Sequence, residues 1–139
     1  MDSGQLTVDS CQLSAIPEKL RFPMRTTVEE KSFLFSIRIV NLYKYLADKN
    51  EFVLSKQILR SGTSIGANIA EAQQAQSTAD FISKLSIALK EGSETNYWLR
   101  LLNATQYLTN DEFLSLIEDC REIEKMLTTI IKSSKKMAD

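Results

Sequence analysis

Phe113-Leu-Ser-Leu-Ile-Glu-Asp-Cys-Arg-Glu-Ile-Glu-Lys-Met-Leu-Thr-Thr-Ile130 is the run from which the architecture can be read. Phe113, Leu116, Cys120, Ile123, Leu127 and Ile130 recur at spacings of three, four, three, four and three. That period lays one apolar seam along a helix. Thr109, with Glu112 three residues on, is a capping-box start for this helix. Upstream, Ser77 with Asp80 opens a segment over about 78–107 in which Phe81, Leu85, Ala88, Gly92, Thr95, Leu99 and Leu102 alternate four and three. A further segment, about 51–74, is expected to start after Asn50 as N-cap and carries Leu54, Ile58, Ser61, Ile65, Ile69 and Ala72 on one face. The first segment, about 28–48, has two stripes, Phe35-Ile39-Leu42-Leu46 and Phe33-Ile37-Val40. Two stripes predict burial on more than one side.

No proline follows Val28, and no alternating strand pattern competes with the helical period. Connections of a few residues force consecutive helices to run antiparallel. The predicted fold is therefore all-α, an antiparallel up-down-up-down four-helix bundle over residues 28–139. Residues 1–27 hold Pro17 and Pro23 among scattered Ser, Thr and Gln, and are expected to form a poorly ordered leader. A chain of 139 residues has room for one such domain.

The composition narrows the function classes. A net charge of −1 argues against a surface that is basic throughout, although a local basic patch remains open. With no histidine, the usual neutral-pH base and the commonest metal ligand are both missing, which removes serine and cysteine triads and the Glu-x-x-His di-iron bundle site. Cys11 and Cys120 are too few for a disulfide scaffold or a four-thiolate zinc site. The expected compartment is a reducing cytoplasm. No apolar run approaches the roughly 20 residues of a membrane span, and the acidic start does not read as a signal peptide. No catalytic residue, metal, cofactor or membrane partner is expected.

Within the second segment, Gly62 and Gly66 lie four apart on one face. Each costs about 1 kcal/mol relative to Ala inside a helix, so a close helix approach must offset them, inside the bundle or between subunits. A Walker loop would need a Gly-Lys-Ser/Thr ending after a strand, and neither is present. On the same helix Gln57, Arg60, Ser64, Asn68 and Glu71 stack into a polar line. It can be a solvated face or a buried or interfacial hydrogen-bond network. In the third segment Ile87, Glu91, Glu94, Trp98 and Leu101 share one face, so Glu94 is expected to pair with Arg60 or accept from Asn68. Tyr43, Tyr45, Tyr97 and Trp98 read as core and rim packing rather than a base-stacking platform. Lys132, Lys135 and Lys136 suit the C-terminal end of a helix dipole, with a short phosphate-touching tail as the alternative.

The runs Leu59-Arg-Ser-Gly-Thr-Ser-Ile-Gly-Ala-Asn-Ile-Ala-Glu-Ala72 and Asp80-Phe-Ile-Ser-Lys-Leu-Ser-Ile-Ala-Leu-Lys-Glu-Gly-Ser-Glu-Thr-Asn-Tyr-Trp-Leu-Arg-Leu-Leu102 closely resemble the bacterial four-helix bundle family of 23S ribosomal RNA intervening-sequence proteins. The likeness covers about residues 30–133. It implies an antiparallel four-helix bundle assembled as a ring-like homopentamer, related to accessory proteins of diversity-generating retroelements that bind nucleic acid and a reverse transcriptase. The family's recurrent polar positions fall on Arg60, Ser64, Asn68, Glu71 and Glu94, which implies a structural network at or near a subunit interface. The nucleic-acid-binding relatives are distinctly basic, whereas this chain is not.

The expected function is a non-enzymatic homo-oligomeric bundle, a pentamer by resemblance, that binds structured RNA or DNA through residues repeated around the ring. The candidate contacts are Arg38, Lys44, Lys56, Lys132, Lys135 and Lys136. The alternatives are a protein-interaction scaffold with an unidentified partner and no nucleic-acid role, and a magnesium-dependent nuclease using Glu71, Glu91 and Glu94.

Overall fold

A computed structural model describes residues 27–138 of the chain. They form four helices, α1 (Val28–Asp48), α2 (Leu54–Ala72), α3 (Thr78–Ala104) and α4 (Asn110–Ala138), and among the described residues there is no strand. Apart from Thr27, the expected leader with Pro17, Pro23 and Cys11 lies outside the described residues. Thr27 itself caps α1, its hydroxyl accepting from the Glu30 amide at 3.2 Å.

The caps explain where the helices begin. Ser77 accepts from the Asp80 amide at 3.0 Å, and Thr109 and Glu112 form the reciprocal box, at 3.2 Å and 2.9 Å. α2 departs from expectation. Asn50 is not its N-cap: it sits at φ 65° just past the end of α1, where the Glu51 amide reaches back to the Leu46 carbonyl at 2.9 Å. That is a Schellman closure with Asn in the left-handed position usually held by Gly. The Glu51 carboxylate instead accepts from the Val53 and Ser55 amides, at 3.2 Å and 2.6 Å, so α2 starts three residues later than predicted. α3 ends in the same way, with Gln106 at φ 69° and the Tyr107 amide bonded to the Leu102 carbonyl at 2.9 Å.

Named contacts give the helix directions. Gly62 and Gly66 of α2 face Ile39 and Ser36 of α1, Arg60 and Glu71 of α2 meet Glu94 and Lys84 of α3, and Lys31 and Arg38 of α1 meet Glu122 and Ser115 of α4. In each pair one number rises as the other falls, so each pair is antiparallel. The core is the predicted set of seams: Phe35, Ile39, Leu42 and Leu46; Ile58, Ile65 and Ile69; Leu85, Ala88, Leu99 and Leu102; Leu116, Cys120, Ile123 and Leu127. In the last turns of α4 the buried residue is Ile131 rather than Ile130. The second stripe of α1 is not buried: Phe33 is 42% and Val40 37% exposed.

Candidate functional site

Ser61 and Thr95 stand at core positions of α2 and α3, both fully buried. A hydroxyl in such a place needs a partner. Thr95 Oγ1 lies 2.8 Å from the Glu91 carbonyl and 2.9 Å from Ser61 Oγ, so the two hydroxyls satisfy each other across the helix pair. Sequence reading placed both on apolar stripes without pairing them. The available signal was one hydroxyl in each of two facing seams.

The predicted polar line lies outside this buried pair, on the α2 and α3 surface. Arg60 Nη1 donates to Glu91 Oε1 at 3.2 Å and Nη2 donates to Glu94 Oε2. Trp98 Nε1 donates to the same Glu94 oxygen at 2.9 Å. These donors hold the Glu94 carboxyl below its ordinary range, the Arg60 bond contributing most, and Glu94 in turn raises the guanidinium. Of the two expected partners for Glu94, the structure supplies Arg60. Asn68 turns back along its own helix, donating to the Ser64 carbonyl at 2.9 Å and Ser64 Oγ at 3.1 Å. Glu71 pairs with Lys84 at 3.2 Å, and Gln57 is exposed. The line is thus three local groups bridging or flanking two helices.

The glycines belong to the other side of α2. A Cβ at Gly62 would stand 2.8 Å from two carbons of Ile39, and one at Gly66 would stand 3.0 Å from Ser36 Oγ. Both therefore serve the α1 and α2 approach within the chain. Beside them Phe33, Ser36, Thr63, Gly66, Ala67 and Ala70 line a largely apolar groove of about 440 Å³.

The basic candidates are dispersed. Lys44 and Lys56 are exposed near the end where α2 begins; Lys132, Lys135 and Lys136 are exposed near the opposite end. At about 1.5 Å per residue these groups stand some 30 Å apart along the bundle. Arg38 lies between them and faces inward, donating to Asp119 at 2.8 Å and to Ser115 Oγ at 2.9 Å. It ties α1 to α4. The carboxylates of the nuclease alternative are not gathered: Glu71 pairs with Lys84, about two to three turns along the helix pair from Glu91 and Glu94. Among the described residues no group of three acids or thiols could hold a metal ion, and no helix is long and apolar enough to cross a membrane.

The aromatics divide. Tyr45 and Trp98 pack against the core, while Tyr97 is 49% exposed. Cys120 is buried on its seam, 3.4 Å from the Gly92 carbonyl, and burial pushes its thiol up to about 12.

The family model described as 23S rRNA-intervening sequence protein matches residues 24–129. Among solved structures, a protein of unknown function from the S23 ribosomal protein family of Bacteroides thetaiotaomicron is 62% identical, with a TM-score of 0.76 over 76% of this chain and 99% of that one. No curated protein matches.

Proposed function

Because the chain belongs to the 23S rRNA-intervening sequence protein family, we propose that it is a non-enzymatic accessory bundle which self-assembles, as a homopentamer, and binds structured RNA or DNA. The observation that carries the assembly is the second stripe of α1. Val40 is exposed on that stripe, one turn beyond Ser36, which lines the apolar groove against α2. An exposed apolar side chain beside an apolar groove suits a surface that a second copy covers. The nucleic-acid half of the reading rests on the resemblance to the accessory proteins of diversity-generating retroelements. Repetition around a ring would turn weak contacts into avid ones.

The test is titration of labelled structured RNA and DNA across salt. Log affinity should fall linearly with log salt, with a slope set by the number of phosphates neutralised. Tight binding that ignores salt would rule out phosphate contact. The net charge of −1 favours a second reading, a scaffold for a protein partner. That reading expects a specific partner to survive nuclease treatment of a pull-down, and loss of every partner would count against it.

A further inference from the structure

Ser83, Ser86, Lys90, Ser93, Tyr97 and Arg100 recur along α3 at three, four, three, four and three, and all six are exposed. They form its outer face, about 25 Å long. This face has two cations, three hydroxyls and an aromatic ring, and no acid. On the α2 flank Glu91 and Glu94 are held by Arg60, and on the α4 flank Glu124 is engaged by Asn96, so the acids beside the face each have a partner off it. The outer face of α4 differs, since Glu118, Arg121, Glu122 and Lys125 mix their charges there.

The ring is also held in place. Tyr97 packs edge-on to Trp98 with centroids 5.1 Å apart, and Trp98 is anchored by its bond to Glu94. The Arg100 guanidinium lies 5.8 Å from the Tyr97 centroid, and its Nε donates to Asn96 Oδ1 at 3.0 Å. An ordered, half-exposed aromatic between cations and hydroxyls suits a nucleic-acid strand. Hydroxyls and cations meet phosphates, and the ring stacks on a base.

We infer that the outer face of α3 is the surface on which this chain holds an RNA or DNA strand, with Lys90 and Arg100 on phosphates and Tyr97 against an unpaired base. Arg60 acts as a positioning residue that keeps Glu91 and Glu94 off this face. The inference rests on the nucleic-acid reading above and moves its contacts away from the two ends of the bundle.

The test is fluorescence anisotropy of labelled single-stranded and duplex RNA and DNA with the full chain, across salt. Lys90→Glu with Arg100→Glu should weaken binding at least tenfold and flatten the salt slope by about two. Tyr97→Ala should weaken it about 5- to 150-fold with the slope kept, and Tyr97→Phe should restore it. Circular dichroism and solution mass establish that each variant is folded and assembled as the parent. Parental affinity in the α3 variants, with binding lost in Lys132→Glu/Lys135→Glu, would overturn the inference and leave the nucleic-acid reading standing. A parent that binds neither strand nor duplex at any salt would overturn both and leave the face to a protein partner.

Discussion

Gly62 is the position where a single carbon matters most. Its missing Cβ is replaced in space by Ile39, a stiff β-branched side chain that is itself fully buried. Gly62→Ala should therefore lower stability by up to about 2 kcal/mol, because overpacking of about 1–3 kcal/mol outweighs the helix-propensity gain of about 1. Gly92→Ala meets the Glu124 side chain at 3.2 Å and Ile65 at an ordinary 3.9 Å, and should cost nothing or add up to about 1 kcal/mol. Urea unfolding compares the two, and equal midpoints would contradict the packing account. The need for close approach at Gly62 was legible in its spacing; the identity of the neighbour was not, because helix order does not give axial register. Cys120 and Glu94 bound the pH range from opposite sides. The folded thiol is raised to about 12, so its contribution is present below the unfolded value near 9 and is lost as pH climbs between the two. Glu94 is lowered, so its smaller contribution is present at neutral pH and is lost on acidification below its ordinary range. Unfolding followed across pH should show both edges, and Glu94→Gln should soften the acid edge alone.

The helices owe their limits to caps, and here sequence reading succeeded at α3 and α4 and missed at α2. Ser77 and Thr109 stand three residues before their acidic partners, a local pattern that needs no tertiary knowledge. Asn50 suits both an N-cap and a left-handed C-terminal position, and only the bond from the Glu51 amide to Leu46 decides between them. Glu51→Ala should cost about 1 kcal/mol by stripping the Val53 and Ser55 amides of their acceptor. Gln106→Gly should stabilise by about 1 kcal/mol, since a side chain in the left-handed region is strained and the closure it serves is unchanged. Thermal melts of both variants would show opposite shifts; a Gln106→Gly protein that melts earlier would refute the strain. The seam between α1 and α4 relies on ions, with Lys31 and Arg38 bridging to Asp119 and Glu122. Arg38→Ala should destabilise the bundle by about 1–3 kcal/mol, the worth of a hydrogen bond between charged groups, with Lys31 still 3.5 Å from Asp119. Any effect of that variant on nucleic acid must then be read beside its melt.

The bundle as a whole follows from its four apolar seams, and the seams were legible because each repeats over several turns. The surface was less so. Periodicity says that a stripe is apolar, as for Phe33 and Val40, but not whether the chain itself covers it. Nor does it distinguish a cation held in an ion pair, such as Arg38, from one on an open face, such as Lys90. These two gaps have one source: both depend on which helix flanks face each other and which face outward. Val40 and the apolar groove beside it are the argument for assembly, and Val40→Glu with Ala67→Glu should break the oligomer while leaving the helical signal intact. The most direct measurement is the solution mass of the full chain by light scattering. Five chains of 15.8 kDa, about 79 kDa, is the predicted result. A mass of a single chain at every concentration would contradict it.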